Sequence, residues 1–421
     1  MSAPGTPRVT AGAVPRTPPV VPSAPTPVEA RSAVLAGALD RLGRRAQTVE
    51  NFWATTGHRS PIVEPDPGDA TRRIVTFLWR DADADHVYIG INKVTHGLDQ
   101  GAMTRVPGTD IWYRTVALDA RWRGSYGLVP LDDATWRALL EEGTRPALRR
   151  LRARYRPDPR NPLTESAHTG ETLSVARLDR APEQPWIRTS HNGDAPAPTT
   201  PEPVEGPGAR TLWVVPPADY GLPHHPQAPV LLVLDGAVWL RRRHVTDTVA
   251  AQAAAGLIRP PVIVYVDNGE PERRMAELSV DSGTAAELAG RIVPWVRDRH
   301  AVSADPADVV VVGQSLGGLT ALKTAFDHPE VVGAAIAQSS SLWQENMLER
   351  ARAAQPGRPR LWIEVGLAES ILLDDHRRLH RELRDRGAAE VVGYTEFVGG
   401  HDSACWRGGI GDGLLALLGG R

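Results

Sequence analysis

The spacing of apolar residues changes character along this chain of 421 residues. Residues 1–30 are rich in Pro, Ala and Thr, with too little apolar surface to offset chain entropy, so a disordered tail is expected there. In 31–55, Val34, Leu35, Ala38, Leu39 and Leu42 share one helical face, which predicts one or two short helices. Between Arg72 and Pro130 the pattern turns to short β-branched and aromatic runs at 74–79, 87–91, 111–116 and 124–128, separated by Asp, Gly and Pro. Strands at that spacing predict a small immunoglobulin-like β-sandwich. A helical pattern over 136–155 completes an accessory domain over 31–155, and the polar, Pro-rich stretch 156–207 reads as a linker.

From Arg210 onward, strand and helix alternate. Strands are expected at 211–215, 230–234, 262–266, 309–312, 334–337, 361–365 and 391–397, with helices at 246–257, 285–300, 319–328 and 374–386. This is the pattern of a mostly parallel sheet covered by helices on both faces, over 208–421. In such sheets the chemistry gathers at the C-terminal ends of the strands. One strand end carries Gly313-Gln314-Ser315-Leu316-Gly317-Gly318 directly before a helix. A G-x-S-x-G pentapeptide between strand and helix is the setting in which a serine becomes a nucleophile, as in α/β-hydrolase folds.

A serine hydroxyl needs a base. In this fold the order along the chain is Ser, acid, His. His328, His376 and His380 fall in helical text, whereas His401 follows the last strand in a Gly-Gly-His-Asp loop and is the candidate base. Glu369, past the strand at 361–365, is the candidate acid, with Asp374 and Asp375 as neighbours in sequence. Oxyanion donors are expected at the amide of Leu316 and at Gly236 or Ala237, in the loop after 230–234.

Charge and cysteine content narrow the function classes. The net charge of −2 gives no basic footprint for nucleic acid. Lys93 and Lys323 are the only lysines, which makes Schiff-base chemistry unattractive. The single cysteine, Cys405, rules out a disulfide framework within the chain and suits a reducing compartment. No zinc-like spacing, signal-peptide pattern or membrane-length apolar run is visible, so a cytoplasmic enzyme without metal or cofactor is expected, with no nucleic-acid or membrane partner.

Several motifs resemble the enterochelin (enterobactin) esterase family. They are the apolar strand ending in Asp235-Gly236-Ala237-Val238-Trp239, Val266-Asp267-Asn268 with Arg274 downstream, the elbow at Ser315, Gln338-Ser339-Ser340-Ser341-Leu342-Trp343, and the run from Gly399 to Gly409 around His401. The text around 103–112, 123–126 and 158–162 is more loosely similar to that family's accessory domain. The resemblance implies a serine esterase that opens the trilactone ring of ferric tricatecholate siderophores, with iron entering only as part of the substrate. A bulky, aromatic, anionic ligand calls for flat aromatic surface and a guanidinium. Trp239, Trp343 and Trp406 are therefore candidate contacts, with Arg274 as first cation and Arg407 as second. An acyltransferase, a general carboxylesterase or peptidase, and a non-catalytic catecholate-binding protein remain open alternatives.

Overall fold

In a computed structural model, the structure describes residues 17–19, 28–167, 170–187, 201–217, 227–242, 244–387 and 389–420. Most of the expected tail, and 195–200 of the Pro-rich run, lie outside the described residues.

Nine strands build the N-terminal domain: β1 (Val28–Glu29), β2 (Ile62–Pro65), β3 (Arg72–Arg80), β4 (His86–Ile91), β5 (Thr104–Arg105), β6 (Ile111–Asp119), β7 (Arg123–Leu131), β8 (Thr164–Ser166) and β9 (Thr172–Arg177). They form two antiparallel sheets, ordered β1-β6-β3-β2 with β5 on β6, and β4-β7-β9-β8. Alternating residues place Val75, Phe77, Ile89, Trp112, Val116 and Leu128 in one shared core. The outer faces are closed by helices Ala33–Gly43 and Val49–Thr55 on one side and Asp133–Glu141 and Thr144–Arg152 on the other. The expected helix over 136–155 breaks at Gly143, whose φ of 80° interrupts it.

Two expectations are corrected here. The end of the supposed tail pairs as β1 against β6. The supposed linker contributes β8 and β9, in which Ser174, Val175 and Ala176 are buried. Thr172-Leu173-Ser174-Val175 alternates polar and apolar residues with the period of a strand, a signal masked by the surrounding Pro and Asp.

The second domain is one eight-stranded sheet in the order β10-β11-β13-β12-β14-β15-β16-β17. Its strands are β10 (Val204–Glu205), β11 (Thr211–Val215), β12 (Val230–Val233), β13 (Val262–Val266), β14 (Val309–Gln314), β15 (Ala334–Gln338), β16 (Arg360–Gly366) and β17 (Glu390–Phe397). From β13 to β17 every pairing is parallel, while β10 and β11 pair antiparallel at one edge. Both faces are buried, so the central strands are continuous apolar runs. Leu232 and Val311 face one core with the helix Leu316–Asp327, whereas Leu231 and Val310 face another with the helix Ser403–Leu418. Among the described residues, no helix is long and apolar enough to cross a membrane.

Candidate active site

The site lies at the C-terminal ends of β12, β14, β15 and β16. Ser315 sits between β14 and its helix with φ 59° and ψ −118°, strained backbone for a residue with a side chain. The turn is tight enough that a Cβ on Gly313 would stand 2.1 Å from the Gly317 carbonyl oxygen. The turn is pinned by the Ser315 amide, which donates to the Gln338 carbonyl at 2.9 Å. The Ser315 hydroxyl pairs with the Ser341 hydroxyl at 3.3 Å.

Glu369 is 1% exposed and meets His401 Nδ1 at 2.5 Å through Oε1. A carboxylate only accepts, so Nδ1 carries the proton and Nε2 is left as the acceptor. The other oxygen, Oε2, accepts from the Ser339 hydroxyl at 2.6 Å and the Gly366 amide at 2.7 Å. Burial alone would raise the Glu369 carboxyl, but the attraction of His401 and these donors hold it below the ordinary range. Ser339 in turn accepts from Trp406 Nε1 at 2.9 Å, and the Trp406 ring stands edge-on to His401 at 4.7 Å. Asp374 and Asp375 lie in the helix Leu373–Arg386 and do not hydrogen-bond to His401. His376 is a satisfied core histidine: Nδ1 donates to the Leu372 carbonyl and Nε2 accepts from the Ser340 amide.

Ser315, His401, Trp239, Trp406 and Arg274 all line one cavity of about 230 Å³. The amides of Leu316, Gly236 and Ala237 open the helices Leu316–Asp327 and Gly236–Arg242, where first-turn N–H groups have no intrahelical acceptor. Arg274 does not pair with Glu277, the contact its helical spacing suggests. It forms a two-pronged ion pair with Asp235 at 2.6 and 2.7 Å, because Asp235, also lining the cavity, is 6% exposed and demands a counter-charge. Glu277 is taken instead by Arg210 and Arg273.

Two expected contacts are not brought to this cavity. Trp343 packs against the core beneath the other face of the sheet. Arg407 is spent between the domains, on Glu165 at 2.7 Å and Gln184 at 3.0 Å.

Several residues in the site carried no sequence assignment. Arg242 lines the cavity, stacked over Trp239 at 5.0 Å and donating to the Ser166 carbonyl. Its place three residues after Trp239 on a helix was the available signal. A ladder of polar side chains runs under the cavity: Trp239 Nε1 donates to Gln314 Oε1, Gln314 Nε2 to Gln338 Oε1, and Gln338 Nε2 to Glu364. Gln314, Gln338 and Glu364 stand side by side in the register of β14, β15 and β16. Burial pushes the Glu364 carboxyl up to about 8.

The N-terminal domain grips the loop that carries His401. Asn92 Nδ2 donates to the His401 carbonyl at 2.9 Å, and the Ser125 amide donates to Asp402 at 2.5 Å. Arg123 donates its amide to the Val398 carbonyl, and Cys405 Sγ donates to the Arg123 carbonyl. Glu165 of β8, 5% exposed, reaches His244, Arg242 and Arg407 of the second domain.

Known proteins are similar to this chain over both domains. A family model described as "Enterochelin esterase, N-terminal" matches residues 74–187, and one described as "Putative esterase" matches 207–417. An iron(III) enterobactin esterase of Dickeya dadantii is 30% identical over 88% of this chain and 93% of its own. That of Escherichia coli K12 is 30% identical over 82% of this chain and 90% of its own. The ferric enterobactin esterase from Salmonella typhimurium superposes with a TM-score of 0.74 at 26% identity, covering 87% of this chain and 98% of that one. An enterobactin esterase from Shigella flexneri, solved in the presence of enterobactin, gives 0.71 at 26% identity over 87% and 97%. With both domains matched in order and nearly the whole length of these relatives covered, the chain belongs to the enterochelin esterase family, as a carboxylic ester hydrolase of α/β-hydrolase type.

Proposed function

We propose that this enzyme cleaves the ester backbone of a tricatecholate trilactone siderophore such as enterobactin, through an acyl-enzyme on Ser315. The observation that carries the reading is His401, held by Glu369 and lining one cavity with an elbow serine, in a chain whose relatives are named iron(III) enterobactin esterases. Ser315 Oγ attacks an ester carbonyl while His401 Nε2 takes its proton. The amides of Leu316 and of Gly236 or Ala237 receive the oxyanion, and the start of the helix Leu316–Asp327 favours that charge. His401 then protonates the departing alcohol, and a water, deprotonated by the same imidazole, releases the acid. Glu369 fixes the tautomer and stabilises the imidazolium.

Trp239 and Trp406 make the wall aromatic, and Arg242 and Arg274 bring guanidinium groups to it, balanced by Glu165 and Asp235. Opening the macrocycle removes the preorganisation that strengthens chelation, which helps release iron. Protein groups alone perform these steps, with ferric iron riding on the substrate. The lone Cys405, buried and unpaired, is in keeping with a cytoplasmic setting. The two facing antiparallel sheets support an immunoglobulin-like reading of the accessory domain, which we extend to about residue 187, with the catalytic domain from about 207.

The test is Ser315→Ala with ferric and iron-free enterobactin, products resolved by chromatography. Linear trimer, dimer and monomer should disappear while bound siderophore is retained. Product formation at the wild-type rate would remove Ser315 from the mechanism.

A further inference from the structure

A second cavity of about 260 Å³ opens beside the first and is built almost wholly by the N-terminal domain. The two share Asn92, Ser125, Ala167, Leu173 and His401 in their linings, so they are neighbouring parts of one space. Each alone falls short of the roughly 300–1,000 Å³ typical of sites for drug-sized ligands; together they reach it.

The chemistry of the second cavity is distinct. Its walls carry Lys93, Arg152, Tyr88, Tyr126 and Tyr155, with Glu171 as its acidic member. Among the described residues, neither Lys93 Nζ nor Arg152 forms an ion pair with a carboxylate of this chain. Lys93 follows β4 with φ 55°, an uncommon backbone for a lysine, which fixes where its side chain leaves the sheet. Burial lowers its ammonium, only partly opposed by the attraction of Glu369, and Arg152 adds repulsion, a cost that an incoming anion offsets. Tyr155 is seated by design of the sheet. Gly90 and Gly127 stand directly opposite each other on β4 and β7, and a Cβ on either would run into the Tyr155 side chain, at 1.7 and 2.5 Å. A glycine pair is thus what lets the Tyr155 side chain lie against the sheet at the cavity wall.

We propose that this cavity is a second arm-binding subsite, contributed by the accessory domain, that takes an anionic dihydroxylated aromatic acyl group while an ester of the same molecule lies at Ser315. The assignment rests on the siderophore reading above and deepens it. Lys93 and Arg152 meet the catecholate oxygens, and Tyr155 offers the aromatic contact. The Ser315 cavity then handles the scissile ester, and the accessory domain decides which aromatic arms are accepted.

The experiment titrates the full-length protein with 2,3-dihydroxybenzoylglycine, which has no ester, by calorimetry. Wild type is compared with Lys93→Gln, Lys93→Arg, Arg152→Gln and Tyr155→Leu. Hydrolysis of iron-free enterobactin by each protein is followed in parallel. Lys93→Gln and Arg152→Gln should weaken binding about tenfold and raise KM to a similar degree, with kcat within about twofold. Lys93→Arg, which keeps the cation, should stay within about threefold of wild type, separating lost charge from a disturbed fold. Unchanged affinity and KM in both glutamine variants would overturn the subsite and leave the esterase reading intact. Failure of the wild type to hydrolyse enterobactin would instead overturn the esterase reading, and with it the assignment of this cavity to its arms.

Discussion

Replacing Glu364 with Gln tests the polar ladder under the active site. Glu364 is 3% exposed, accepts from Gln338 Nε2, and accepts from Trp362 Nε1 at 3.2 Å. On the opposite side, Gly409 of the helix Ser403–Leu418 approaches so closely that a Cβ there would lie 1.9 Å from Glu364 Oε2. Water has no room to solvate an ionised carboxylate, and the group titrates near 8 in the fold, against about 4.5 in the unfolded chain. A folded-state value above the unfolded one means that the protonated form stabilises the fold. That contribution is complete below about pH 4.5 and is lost as pH rises toward 8. Between pH 5 and pH 9 the loss amounts to about 4 kcal/mol at 1.36 kcal/mol per pH unit. Glu364→Gln keeps the shape and removes the titration, although its amide N–H groups face existing donors and cost about 1–3 kcal/mol at every pH. Urea unfolding of both proteins at pH 5, 7 and 9 reads the difference, because all other titrations cancel. The variant should be the less stable protein at pH 5 and the more stable one at pH 9. A difference in unfolding free energy that stays flat with pH would show that Glu364 is ionised in the fold and that the ladder carries a charge.

Other changes address the catalytic geometry. Glu369→Gln removes the charge facing the imidazolium, so kcat should fall by roughly 10²–10⁴ with little change in KM, measured on enterobactin. Since the Glu369 carboxyl is held below its ordinary range, its contribution is present above about pH 4.5 and is lost only as pH falls through that lowered value; a wild-type pH–rate profile that loses activity through this group near neutrality would contradict the assignment. Asn92→Ala frees the His401 carbonyl from the accessory domain and should lower kcat about tenfold; an unaltered kcat would show that the loop holds His401 unaided.

The sheet was legible where burial leaves one choice of residue. β12, β13 and the first four residues of β14 are apolar runs, all Val, Ile or Leu apart from Tyr265, because both faces are covered, and a run of that kind announces itself without its partners. The helix Ser403–Leu418 was not legible, and the reason is visible in its contacts. Gly408, Gly409, Gly411 and Gly413 lower its helix propensity, yet each faces a close neighbour: Gln184, Glu364, Trp186 and Ile336. Tertiary packing therefore chose small residues at a cost in local preference. β8 and β9 were obscured in a related way, since β9 takes its place beside β7, more than thirty residues earlier in the chain, β8 pairs only with β9, and their flanks carry the punctuation of a loop.

In the site, legibility followed the range of the contact. The elbow is a local device, so Ser315 stands out from five residues of text. Glu369 and His401 are placed by strand order, and they meet at 2.5 Å. The arginines were harder, because a guanidinium near a strand end goes to whichever carboxylate is buried beside it. Asp235 claims Arg274 inside the second domain, and Glu165 claims Arg407 across the two domains, so the first burial needs the folded sheet and the second needs the docked domains before it can be read. Glu165 shows what this means for function. A carboxylate on an accessory strand is buried among Arg242, His244 and Arg407, and Arg242 lies against Trp239 in the wall of the Ser315 cavity. Undocking the domains would strand those charges at the same moment as it released His401 from Asn92 and Asp402 from Ser125. The accessory domain is thereby coupled to the chemistry through electrostatics and hydrogen bonds together, and a catalytic domain expressed alone would begin with its histidine loop ungripped and one side of its cavity missing.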